Sequence, residues 1–236
     1  MRTLIELEWK KHNLRIYVKS AVVITIVMLG FLYLFACAPM LEPGDKDMAI
    51  FAGYQNLIPM FEVLHMAVFG VLSAVMYARL IIGEYAGKRV ILLFSYPAGR
   101  TKVILAKLIL VGGFTVAAMA ASSLAIFLVF GLTESIAPLV KEPFTLAVLK
   151  QAASATLLLS FMAAGIGIVA AGIGFLAKSV PAAIVAAVIM ASAISNIAVN
   201  TASSPKAMCL SAIGIVSAAL AVSLGFVGKV NRMEAE

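Results

Sequence analysis

Charge is scarce in this chain. Only 12% of its 236 residues are Asp, Glu, Lys or Arg, and 63% are apolar. A soluble domain carries about 25% charged and about 45–50% apolar residues. A chain this short cannot hide so much apolar surface in one water-soluble core, because small domains bury only part of their surface. A mean hydropathy of +1.09 makes lipid the solvent for most of it. That composition excludes intrinsic disorder, and two cysteines are too few for a disulfide-stapled secreted scaffold. Cys37 and Cys209, near the ends of spans one and six, are expected as free thiols, since a disulfide demands tight Cα geometry. The two histidines, His12 and His65, are too scattered for most metal sites, so no metal is expected. No glycine-rich loop ends in Gly-Lys-Ser/Thr, so the chain is not expected to hydrolyse nucleotide itself. His-Glu-x-x-His and Gly-x-Ser-x-Gly are missing too, which argues against an intramembrane enzyme.

What is present is a series of six apolar stretches, near 21–38, 57–82, 103–132, 145–176, 180–199 and 207–227. Each meets the roughly 20 residues needed to cross the hydrocarbon core. The expected fold is therefore an all-α integral membrane protein, a single domain of six transmembrane helices, multi-pass in a bacterial-type cytoplasmic membrane. Spans three and four exceed the required length, which predicts tilt, a kink or an extension beyond the membrane. The eight prolines are expected at or near span ends. Ser179-Val180-Pro181 and Ser204-Pro205 read as separate helix starts, a serine cap followed by proline in the first turn.

Basic residues set the orientation. All 18 but Lys46, Lys141, Lys150 and Lys206 fall in the N-terminal segment, around the loop after span two, or after spans four and six. Positively charged loops stay in the cytoplasm, so both termini are expected inside. The same placement explains the net charge of +7 through the bilayer, with no nucleic-acid partner. Segment 2–19 carries Leu4, Leu7, Leu14 and Val18 at helical spacing and reads as an interfacial helix on the inner leaflet. A cytoplasmic extension of span one is the alternative.

Two polar groups interrupt the spans. Glu62 and His65, three residues apart, share one face of span two. The plainer reading puts Glu62 at the interface near water with His65 as its hydrogen-bond partner. The sharper one makes them an ionisable functional pair in a transport pathway, and with it a proton-coupled carrier. Ser192, Ser195 and Asn196, with Asn200 and Thr201, gather toward one end of span five. They would line a vestibule or bond between helices. Small residues recur at four-residue spacing in spans four to six (Ala163, Gly167, Ala171; Ala183, Ala187, Ala191; Ser217, Ala221, Gly225). Such faces suit close packing within the chain, with any face left over free for a second membrane subunit.

The loop after span two carries the strongest signal. Its charged start, Glu84-Tyr85-Ala86-Gly87-Lys88-Arg89, runs into the apolar Val90–Phe94. Pro97-Ala98-Gly99 turns the chain back through Arg100 and Lys102 toward Lys107. An apolar knob with charged flanks, held at the membrane face, suits a groove on a cytoplasmic partner. A re-entrant or interfacial helix whose charges only set topology is the bland reading, and a membrane anchor or sensor recruiting a non-ATPase partner is a further one.

Glu84, Gly87, Leu92, Leu93, Pro97, Arg100 and Lys107 together resemble the pattern of type-2 ABC transporter permeases. The pattern departs at Lys88, where that family often has threonine. The plan of six spans with an N-terminal interfacial helix, and the small size, are similar to permeases of lantibiotic and bacitracin self-protection systems. The resemblance implies a coupling helix over 83–97, with Tyr85, Arg89 and Phe94 in the same lever, resting on a cytoplasmic ABC ATPase that binds ATP and Mg; no cofactor is bound by this chain. It also implies a second permease copy or a different permease chain opposite this one, with ATP binding moving the loops. Glu84 would anchor the lever, and Arg100 and Lys107 would pin its return to lipid phosphates. The cargo would be an amphipathic peptide antibiotic or lipid-like compound moved outward.

Overall fold

The computed structural model describes residues 14–41, 51–83, 100–140, 142–201 and 205–235. Six helices follow in order: α1 (Arg15–Leu41), α2 (Tyr54–Tyr77), α3 (Arg100–Ile136), α4 (Leu146–Leu176), α5 (Val180–Thr201) and α6 (Pro205–Ala235). α2 runs on through a π-helical turn, Ala78–Ile82. All six elements are long and apolar enough to cross a membrane, and no strand occurs among the described residues.

The helices extend beyond the apolar runs, because backbone hydrogen bonds persist where side chains have already turned polar. α1 begins at Arg15, so Leu14–Lys19, expected as part of an interfacial helix, leads straight into the span; residues 2–13 lie outside the described residues. α3 begins at Arg100 and has 37 residues, about 55 Å at 1.5 Å per residue. The same lengthening puts Pro39 and Pro59, expected at span ends, inside α1 and α2. Pro59 falls in the second turn of α2, where its missing N–H removes one intrahelical bond.

The joints use their sequence signals. α4 ends in a Schellman motif: the Ser179 N–H donates to Gly174 O (3.0 Å) and the Lys178 N–H to Phe175 O (3.2 Å). Lys178 takes the left-handed conformation usual for glycine, with φ 51°. The Ala182 N–H then donates to Ser179 Oγ at 3.4 Å, so the serine cap of α5 is present as expected. At the other end of the bundle, the loop between α3 and α4 is held by carboxylates. Glu134 Oε1 accepts from the Leu139 and Val140 N–H groups (3.0 and 2.7 Å). Glu142 Oε2 accepts from the Tyr54 N–H (3.2 Å), capping α2 in place of Gly53, whose N-cap position has no side chain to do so.

α4 packs against α2, α3, α5 and α6, and α1 lies along α3 and α2. The small residues of α4 make this possible. A Cβ on Gly167 would collide with Ser73, and one on Gly174 with Ala183 and Ile82. Ala163, Ala171, Ala183, Ala187 and Ala191 are buried, while Ser217, Ala221 and Gly225 of α6 face outward. The core stacks in three layers along the bundle. One end joins Leu14 and Tyr17 to Met76–Ile81, Ile104–Val111 and Phe226. The middle is built on Met66, Phe69, Met162 and Ile166. The far end gathers Met28, Leu32, Leu57, Phe61, Phe127 and Phe130. The start of α1, both stems of the 84–99 loop and the last part of α6 therefore share one end of the molecule.

Candidate functional site

Two polar constellations interrupt the apolar bundle. The first centres on Glu62 and His65, both without any exposed surface. The expectation of a water-facing Glu62 is thus corrected: α3 and α4 close over that face of α2. Nor is His65 a direct hydrogen-bond partner, since its Nδ1 lies 3.6 Å from Glu62 Oε2. The partners are hydroxyls from other helices. Ser123 Oγ of α3 and Thr156 Oγ1 of α4 donate to Glu62 Oε1 at 2.5 and 2.7 Å. His65 Nε2 meets Ser122 Oγ at 3.0 Å, and Thr25 Oγ1 of α1 donates to the same oxygen at 2.8 Å. The chain Thr25–Ser122–His65 thus ties α1, α3 and α2 together through two hydroxyls and one ring nitrogen. Phe69 stands edge-on to the imidazole at 4.9 Å between centroids, with Phe61 stacked on it at 5.6 Å. Glu62 Oε2 and His65 Nδ1 are the two buried atoms of the network without a hydrogen bond.

Three helices thus meet at one buried carboxylate, and α1 joins the network through Thr25 and Ser122. Sequence reading found Glu62 and His65 and missed Thr25, Ser122, Ser123 and Thr156. The adjacent Ser122-Ser123 within the apolar α3 was the available signal. Ser192, Ser195 and Asn196 do not join this network. Ser192 and Asn196 lie on the exposed face of α5, where Ser192 Oγ donates to Val188 O and Asn196 Nδ2 to Ser192 O (both 2.9 Å). Ser195 is half-buried with its hydroxyl unpaired.

The second constellation lies where the 84–99 loop leaves and rejoins the bundle. A π turn breaks the regular i→i−4 ladder and leaves carbonyls in need of other donors. Lys107 Nζ, fully buried on α3, donates to Leu80 O inside that turn at 2.8 Å. This corrects the expected contact with lipid phosphates: the ammonium points into the protein, because the core layer that joins Leu80 and Ile81 to Ile104 and Leu108 closes around it. Reciprocally, Tyr77 Oη of α2 donates to Leu108 O of α3 at 2.9 Å. Gly112 allows this approach, as a Cβ there would stand 3.3 Å from the Tyr77 hydroxyl. Each stem of the loop is therefore bonded to the other's backbone. Arg100 opens α3, and Gly83 follows the π turn. Glu84, Tyr85, Gly87, Lys88, Arg89, Leu92, Leu93, Phe94 and Pro97 lie outside the described residues.

Six apolar helices with few internal charges describe a membrane-embedded protein, and no three potential metal ligands come together among the described residues. The family model described as ABC-2 family transporter protein matches residues 4–193. The chain belongs to that family: it is a membrane permease subunit of an ABC transporter, multi-pass in the cytoplasmic membrane, and such subunits work with ABC ATPases. It is similar to the uncharacterized protein YcbO of Bacillus subtilis (strain 168), 29% identical over 193 residues, covering 82% of this chain and 83% of that protein. No solved structure matches the chain.

Proposed function

We propose that this chain is the permease of an ATP-driven exporter whose 84–97 loop receives the stroke of a separate ATPase and moves an amphipathic peptide or lipid-like compound outward. The observation that supports the coupling most directly is the reciprocal stitching of the two stems, Lys107 to Leu80 O and Tyr77 to Leu108 O. A loop can act as a lever only if force on its tip is not lost where it enters the membrane. Cross-bonded stems move as one body, and the carbonyl that receives Lys107 belongs to the π turn itself. Leu92, Leu93 and Phe94 would seat in the partner's groove, with Glu84 and Arg89 fixing the orientation. The basic side of the bundle faces the cytoplasm, where the ATPase is. For the cargo, the mainly apolar surface and the scarcity of charge in the spans favour an amphipathic molecule over a sugar or an ion.

The test is an affinity pull-down of the tagged chain from native membranes in mild detergent, with mass spectrometry of what co-purifies. A stoichiometric protein carrying a phosphate loop is expected, and a second permease in the same eluate would make the pore a heteromer. Recovery of the chain alone, or with a non-ATPase partner, would overturn the reading.

A second reading has a specific observation in its favour. The buried Glu62–His65 pair, with facing polar atoms 3.6 Å apart, is the kind of intramembrane ionisable site that proton-coupled carriers use. That reading requires transport to persist without ATP and to fail in Glu62→Gln.

A further inference from the structure

A trough of about 560 Å³ runs between α1 and α3, open to the outside of the bundle. Its walls are apolar: Val18, Val22 and Ile26 on one side, Phe114, Ala117 and Ala121 on the other. The trough exists because the α3 side chains facing α1 are alanines, which leave a gap the width of a larger side chain. Its two polar residues, Thr25 and Ser122, bond to each other at 2.8 Å and, through Ser122, to His65. An apolar occupant therefore strands no donor there, whereas water would find few partners.

The trough's α1 face continues past its mouth into charge. Arg15, Lys19, Val22 and Ile26 follow one another at spacings of four, three and four residues, one stripe of the helix. Arg15 and Lys19 are both exposed. They occupy the first two turns of a 27-residue helix about 40 Å long. That length exceeds the roughly 30 Å hydrocarbon core, which puts the two cations at headgroup level. α1 carries no Asp or Glu, and α3 carries none before Glu134, so nothing acidic on either wall offsets them.

From this juxtaposition we infer that the α1–α3 trough holds an acyl chain of an anionic glycerophospholipid of the surrounding leaflet, its phosphate held by Arg15 and Lys19. The occupant is a membrane lipid and not the cargo, so the site stands whatever the transporter carries. It reaches the core of the protein, because the trough's floor is the Thr25–Ser122 pair that bonds to His65.

Native mass spectrometry of the purified full chain in a neutral detergent, titrated with dioleoylphosphatidylglycerol or dioleoylphosphatidylcholine, tests it. One cation near the membrane surface favours anionic lipid by about five-fold, so two give a preference of roughly 25-fold. Arg15→Gln with Lys19→Gln is expected to bring the two lipids to equal affinity while both still bind. Ala121→Phe fills the trough and should weaken both, and Ala117→Phe, one turn away, does the same if the first variant fails to fold. Equal affinities in the native chain would overturn the proposal, as would unchanged binding in both phenylalanine variants. Loss of a dimer peak with unchanged lipid counts would assign the trough to a second copy. Binding that appears only after deletion of residues 2–12 would assign it to the chain's own amino-terminal segment. Either result would also overturn it.

Discussion

At the scale of single residues, the bundle is governed by what one atom more or less does inside lipid. Glu62 Oε1 has two hydroxyl donors, Ser123 and Thr156, which also contact each other at 2.6 Å. Removing one leaves the other in place, so Ser123→Ala is expected to lower stability by about 0.6–1.7 kcal/mol, from the average to the maximum found for hydrogen bonds between membrane helices. Removing both strips the buried carboxyl oxygen of donors. Ser123→Ala with Thr156→Val should therefore exceed the sum of the single effects by about 1 kcal/mol. Thermal unfolding midpoints in one detergent check this, and strict additivity would mean the hydroxyls do not share a load. Glycines give a paired contrast. A Cβ on Gly174 meets Ile82 Cδ1 at 2.6 Å and Ala183 Cα at 3.0 Å, whereas one on Gly30 meets nothing within 4 Å. Gly174→Ala should cost about 1–3 kcal/mol by overpacking. Gly30→Ala should stabilise by up to about 1 kcal/mol through helix propensity. The same unfolding assay reads both, and equal shifts would mean that α4 is not in close contact with α5.

At the scale of elements, the ends of helices carry the specific features. Lys178 pays a backbone penalty at φ 51° for closing the Schellman motif. Lys178→Gly keeps the motif and is expected to stabilise the chain by about 0.5–1 kcal/mol, read as a rise in the unfolding midpoint. Lys107 is the opposite case, a side chain whose removal frees a carbonyl. Lys107→Met keeps most of the aliphatic stem and deletes the bond to Leu80 O. In the proposed lever this leaves ATPase binding intact and lowers cargo-stimulated hydrolysis several-fold. Normal stimulation would show that the stems need no such latch. These elements also mark how far the sequence was readable. Span positions were legible because twenty apolar residues have one use in lipid, and the start of α5 was legible because Ser179 and Pro181 are local signals. The π turn was not, since Ala78–Ile82 looks like any apolar helix end and the donor that satisfies its Leu80 carbonyl lies 27 residues away in Lys107. The burial of Glu62 was hidden for the same reason. Its donors arrive from positions 61 and 94 residues on, and periodicity within α2 says nothing about which face α3 and α4 will cover.

At the scale of the whole molecule, sidedness decides what the loop can reach. The core layer that joins Leu14, Ile81, Ile104 and Phe226 brings the start of α1, both stems of the loop and the last part of α6 to one end. Lys178 in the joint between α4 and α5 belongs to that end by connectivity, and Ala137 beyond α3 belongs to the other. If the basic end is cytoplasmic, a single cysteine tells the ends apart. Ala137 and Lys178 are both exposed on the protein surface, so neither is shielded by the fold itself. With Cys37 and Cys209 replaced by alanine, Ala137→Cys is expected to react with a membrane-impermeant maleimide in intact cells. Lys178→Cys should react only after the membrane is opened. The reverse pattern would put the 84–97 loop outside the cell, where no ATP-driven partner can reach it, and the lever would have to be abandoned even though the bundle itself were correct. The expected pattern would leave the loop where an ATPase can bind. Leu92→Asp with Leu93→Asp should then release that ATPase from membranes while the maleimide pattern stays unchanged, because a polar knob at the cytoplasmic face disturbs the docking and not the spans.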